Sequence, residues 1–86
     1  MRYIMVERYS EILGNYEIEA YCFPDTMTND DIACDELLIE DFEDFVNSVP
    51  VSFLKEKNID VDEYIESCYW EFFEMSEDKY FEYIGE

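Results

Sequence analysis

The chain has no histidine, two glycines, two prolines and only five lysines and arginines among its 86 residues. Without histidine, the Ser-His-Asp and Cys-His arrangements of nucleophilic catalysis cannot be built. A GxSxG elbow and a phosphate-binding glycine loop are missing as well. Cys22, Cys34 and Cys68 are odd in number and far apart, and no CxxC pair occurs. That pattern excludes the usual zinc sites and points to reduced, mostly buried thiols acting as small apolar residues. No metal and no cofactor are expected. The opening residues, Met1 to Arg8, contain no uninterrupted apolar stretch, which does not fit a signal peptide. No run approaches a membrane span. A cytoplasmic location is expected, in the host cell if a phage encodes the chain.

Positive charge is the largest absence. Twenty-four Asp and Glu outweigh the five basic residues, for a net charge of −19. From Tyr9 to Leu54 there is no basic residue, while twelve acids fall in that stretch. Such an imbalance destabilises a compact state through self-repulsion, so a function is expected to reward it. It also argues against direct binding to nucleic acid or anionic lipid. Duplex DNA carries one charge per ~1.7 Å, so roughly 30 Å of duplex carries roughly 18 charges. A compact chain of this length has a radius of gyration of about 12 Å and spans roughly 30 Å. Its net charge is therefore close to that of a DNA segment of its own size.

The remainder of the composition predicts a folded protein. The chain is 49% hydrophobic and 19% aromatic, unlike an acidic disordered tail. Sixteen Phe, Tyr and Trp exceed what so small a core hides, so some are expected at an interface, which a homodimer would also explain. Residues 1–86 read as one domain, without linker, repeat or low-complexity segment. The expected class is α+β: an N-terminal β-hairpin, two main helices and short C-terminal helical segments.

The hairpin rests on residues 16–23. Tyr16, Ile18, Ala20 and Cys22 alternate with Glu17, Glu19, Tyr21 and Phe23, and Pro24 closes the strand. Gly14-Asn15 is a two-residue hairpin signal. Residues 2–10 would supply the upstream strand, rich in Tyr, Ile and Val. A helix competes there, because Met5, Tyr9, Ile12 and Leu13 have helical spacing and Gly14 could end it. Residues 24–31 are turn-like. A helix over residues 35–48 carries Leu38, Phe42, Phe45, Val46 and Val49 on one face, with Asp35 as its cap. Pro50 breaks it, and residues 51–57 form a short helical turn. The clearest helical pattern covers residues 61–75, with Val61, Tyr64, Ile65, Cys68, Tyr69 and Phe72 as its buried stripe and Phe73 at the edge. Ser76 starts a last short helix whose Tyr80, Phe81, Tyr83 and Ile84 pack back.

Asn58, Asp60 and Asp62 have the opening spacing of a calcium-binding loop, but Glu63 and Tyr69 stand where its glycine and bidentate glutamate belong. A helix-capping turn is the expected reading. Close carboxylate pairs are inevitable among 24 acids, and a chain this short leaves little room for a cleft between two of them. A non-enzymatic protein is expected.

The acidic faces carry the functional reading. Glu36, Glu40, Glu43 and Asp44, flanked by Asp41, oppose the apolar face of the first main helix, which Asp35 caps. Glu63, Glu66, Glu71 and Glu74 oppose that of the second, with Trp70 among them. Trp70 is expected either beneath the C-terminal segment, the favoured reading, or exposed as an interface anchor. Like charges at i, i+4 repel by a few tenths of a kcal/mol per pair. One such face is usually just solvated; two without interspersed lysine point to a partner.

In size, acidity and aromatic content the whole chain resembles the DNA-mimic proteins of phages and mobile elements, although no motif is shared. These include anti-restriction proteins, anti-CRISPR proteins and uracil-glycosylase inhibitors. The resemblance implies an inhibitor that covers the basic nucleic-acid-binding surface of a bacterial defence nuclease or CRISPR effector. Asp35, Glu36, Glu40, Asp41, Glu43, Asp44, Glu63, Glu66, Trp70, Glu71 and Glu74 are the expected contacts. Two alternatives remain: an immunity protein or antitoxin against a basic nuclease toxin, and an acidic adaptor without a nucleic-acid-related target.

Overall fold

The computed structural model describes residues 1–85. Strands β1 (Arg2–Ser10) and β2 (Tyr16–Phe23) form the expected hairpin. Four helices follow: α1 (Asn29–Ala33), α2 (Glu36–Asn47), α3 (Val51–Glu56) and α4 (Val61–Ser67). Strand β3 (Cys68–Met75) and helix α5 (Glu77–Ile84) end the chain. The sheet is antiparallel, with order β2-β1-β3.

Alternation along β1 assigns the two faces of the sheet. Ile4, Val6, Arg8 and Ser10 are buried under α1–α4, and Tyr3, Met5, Glu7 and Tyr9 point the other way. The main core joins Ile4, Val6, Tyr21 and Phe23 of the hairpin to Ile32 of α1 and Leu38 of α2, with Trp70 and Phe72 packed alongside. Burying each large aliphatic side chain contributes about 1.5–3 kcal/mol. A second cluster, Leu54, Tyr64 and Cys68, fills the far end beneath Phe42 and Val46 of α2. There the Tyr64 hydroxyl donates to the Val46 carbonyl at 2.9 Å, tying α4 to α2. Burial pushes that hydroxyl up to about 12.

The helix boundaries follow their caps. Thr28 and Asp31 make a capping box at α1, and Asp35, Asp60 and Ser76 accept backbone N–H groups at α2, α4 and α5. Asn58 has φ 58° and ends α3 in a Schellman turn. Its N–H donates to the Lys55 carbonyl, while that of Ile59 donates to Leu54, and Ile59 packs against Leu54. Residues 58–62 thus stop one helix and start the next, and among the described residues no cluster suited to a metal ion occurs.

Four expectations need correction. The hairpin loop is residues 11–15, not a two-residue turn; Gly14, at φ 73°, supplies its left-handed step and Ile12-Leu13 breaks alternation because it lies in the loop. The helix expected over residues 61–75 stops at Ser67, and its second half is β3. The helical spacing of positions 61, 64, 65, 68, 69 and 72 gives no sign of this, since the acids Glu71 and Glu74 fall on opposite parities of the strand. As a strand, β3 pairs with the side of β1 that β2 leaves open, making β1 the central strand. Consequently Ile65 and Tyr69, expected in a buried stripe, are exposed. Of the three thiols, Cys22 and Cys34 are exposed and Cys68 alone is buried. Finally, the radius of gyration is 15.0 Å and the longest extent 44 Å, not about 12 and 30 Å, because an extended sheet carries the fold.

No helix among the described residues is long and apolar enough to cross a membrane.

Candidate functional site

Arg8 is the organising residue of the acidic surface. It points inward from the central strand and is fully buried. Its Nη1 lies 3.4 Å from Glu17 and 3.2 Å from Glu19 on β2, and its Nη2 lies 3.8 Å from Asp41 on α2. Nη2 also donates to the Tyr21 hydroxyl. The guanidinium sits 5.9 Å from the centre of the Tyr21 ring, a cation–π distance. Its buried Nε makes no hydrogen bond. One buried cation therefore holds three part-exposed carboxylates together, leaving a local excess of two negative charges.

Protons are scarce in this cluster. The Tyr21 oxygen lies 2.8 Å from Glu19 and 2.6 Å from Asp41, yet a phenol has one hydrogen to donate. Burial, with these two carboxylates, holds the Tyr21 phenol far above its usual range. Burial first, then the adjacent Glu19, raises the carboxyl of Glu17, against the pull of Arg8. The cluster therefore favours taking up a proton as pH falls.

This cluster merges with the outer face of α2. Glu36, Glu40, Glu43 and Asp44 are exposed, while Asp35 is the half-buried cap and Asp41 turns inward to Arg8. Residues 36–44 span about 12 Å of helix axis at 1.5 Å per residue and carry five acids. That is one acid per roughly 2.4 Å, sparser than the ~1.7 Å per charge of duplex DNA but of the same order. The whole-molecule comparison weakens by contrast, since 44 Å of duplex would carry roughly 26 charges against the 19 here.

The other expected contacts separate. Glu63 and Glu66 are exposed on α4. Glu74 is engaged by Arg2 at 3.0 Å, and that hydrogen bond holds its carboxyl below the usual range. Arg2 donates as well to the Met27 carbonyl and to Asn29, pinning β1 and β3 to the loop before α1. Glu71 stands opposite Glu7 on the other face of the sheet. The expected single helix face of Glu63, Glu66, Glu71 and Glu74 does not form: the first two lie on α4, and alternation in β3 sends Glu71 and Glu74 to opposite sides of the sheet. Trp70 is half-buried on the helix-covered face, packing against the main core and Phe72 rather than under α5. Its neighbour across the strands is Arg8.

Glu17, Glu19, Tyr21 and Arg8 are the site residues that sequence reading missed. The available signal was a lone Arg at an inward position of an otherwise apolar alternation, opposite an Glu-x-Glu pair on the next strand. Comparison with protein-family models, curated proteins and solved structures finds no match.

Proposed function

We propose that this protein is a DNA-mimic inhibitor that binds and blocks the basic nucleic-acid-binding surface of a bacterial defence or nuclease protein, of anti-CRISPR or anti-restriction type. The observation that carries this reading is the one-signed surface in which Glu36, Glu40, Glu43 and Asp44 of α2 join Glu17, Glu19 and Asp41 around buried Arg8. These carboxylates would meet the lysines and arginines that otherwise hold phosphates. Both arginines of the chain are engaged by its own acids, Arg2 by Glu74 and Arg8 by this cluster, so neither opposes a basic partner. Long-range attraction would make association fast and salt-sensitive. The protein acts by occupation rather than by catalysis.

The test is capture from bacterial lysate by the tagged protein at about 50 mM salt and at several-fold higher salt, each with and without competitor DNA. A captured nuclease or DNA-binding protein displaced by both salt and DNA supports the reading. Reversing Glu36, Glu40, Glu43 and Asp44 to Lys should abolish that capture. Retention by the reversed protein, or a partner indifferent to DNA, rejects it.

A further inference from the structure

The sheet face turned away from α1–α4 is only partly covered. Helix α5 lies over one end, where the centroids of Tyr80 and Phe81 sit 4.8 and 6.1 Å from that of Tyr3. Lys79, Glu82 and Tyr83 line a groove beside Met5, and Tyr83 donates to the Ile18 carbonyl at 2.8 Å. Past that point the sheet is open. Tyr16, Tyr9 and Tyr69 form one row straight across the three strands, with neighbouring ring centroids 5.0 and 4.8 Å apart. The adjacent row is Ile18, Glu7 and Glu71. Tyr16 is 52% exposed, Tyr69 39% and Phe73, one row further, 47%.

This face is charged in a particular way. The Glu7 carboxylate accepts from both the Tyr9 and Tyr16 hydroxyls, so its oxygens are held in place. Glu71, exposed, stands directly across from it. Like charges directly opposite on neighbouring strands are destabilising, and neither row contains a Lys or Arg. A cation bound here would relieve the repulsion and find aromatic faces to lie on. A guanidinium fits better than an ammonium, because it is planar, forks onto carboxylates and stacks on rings. A second copy of this chain would bring another Glu7–Glu71 pair and another charge of −19 to the same place. Nucleic acid would be repelled for the same reason.

We propose that the open tyrosine–glutamate face docks an arginine side chain presented by a partner protein, its guanidinium forked onto Glu7 and Glu71 and stacked on the tyrosine row. This face lies opposite α2, so the inference stands independently of the DNA-mimic reading.

The experiment is an NMR titration of the full chain with an acetylated tri-arginine peptide and with a tri-lysine peptide of equal charge. The expected result is shifts at the rings of Tyr9, Tyr16 and Tyr69 and at the amides of Glu7 and Glu71, with several-fold tighter binding of the arginine peptide there. Glu71→Gln and Tyr69→Ala should each weaken that binding about two- to fivefold, without moving the response of residues 36–44. Should Tyr69→Ala unfold the chain, Glu71→Gln at its exposed position still decides. Shifts confined to α2, equal affinity for the two peptides at the sheet face, or an unchanged affinity in Glu71→Gln would overturn the proposal.

Discussion

On the helix-covered face, three carboxylates gather around a fully buried arginine; on the opposite face, Glu7 meets Glu71 with tyrosine hydroxyls and no Lys or Arg in their rows. The difference is one of dielectric. Under the helices the fully buried guanidinium of Arg8 would be costly unpaired, and the three part-exposed carboxylates offset that cost. On the open side water solvates the charges, and two directly opposed glutamates cost only tenths of a kcal/mol to about 1 kcal/mol. The chain thus places one of its few cations where desolvation is greatest and leaves the Glu7–Glu71 row without one.

Removing the cation should break the contrast most severely. Arg8→Met is expected to destabilise the protein by about 3 kcal/mol or to prevent folding, because Glu17, Glu19 and Asp41 would remain crowded without it. Urea denaturation measures this. Adding Glu17→Gln and Glu19→Gln to Arg8→Met should recover part of the loss. If the triple variant is no more stable than Arg8→Met, charge is not what Arg8 supplies.

A smaller effect isolates packing from charge. Tyr64→Phe removes the hydroxyl that reaches Val46 and should cost about 1 kcal/mol, since the half-buried carbonyl loses its partner. Thermal melts should show this loss to be nearly independent of salt. Repulsion among the exposed acids, by contrast, is screened, so the wild-type melting temperature should rise with salt.

pH sharpens the comparison further. The folded carboxyl of Glu17 lies above its ordinary value of 4.5, so the folded state holds that proton more tightly than the unfolded chain. Its contribution is fully present below 4.5 and is lost as pH rises through the folded value. Glu74 and Asp31 have lowered values and act oppositely: their stabilisation is lost as pH falls through those values. Stability should therefore peak in the mildly acidic range and fall on both sides, and Glu17→Gln should flatten the alkaline slope. A melting temperature that rises steadily from pH about 5 to about 8 would contradict this.

The smallest effect belongs to the open face. Tyr16→Phe deletes one of the two hydroxyls on Glu7 and should change stability by less than about 1 kcal/mol, because water replaces the lost donor. A much larger loss, read by urea denaturation, would mean that this face is not open to solvent.

Much of this architecture is legible in the chain itself. The alternation of residues 16–23, the Asp35 cap, the Pro50 break, a capping aspartate at 60 or 62 (Asp60 in the structure) and the Ser76 start all act through local backbone chemistry, and each appears where that chemistry puts it. The exposed acids of α2 follow from the apolar period of Leu38, Phe42 and Phe45 alone. Residues 68–75 read as helix, because Tyr69, Trp70, Phe72 and Phe73 fall on both parities and Glu71 and Glu74 are three apart, so no strand alternation shows in the sequence. The strand appears only in the assembled sheet, where β3 pairs with the side of β1 that β2 leaves open. That choice split Glu71 from Glu74, moved Trp70 into the core beside Arg8, and aligned three tyrosines into a row. Charge excess, caps and helix faces depend on neighbours close in sequence and so belong to the sequence. The meeting of Arg8 with Glu17, Glu19 and Asp41, and of Glu7 with Glu71, joins residues distant along the chain, and only the tertiary structure determines such contacts.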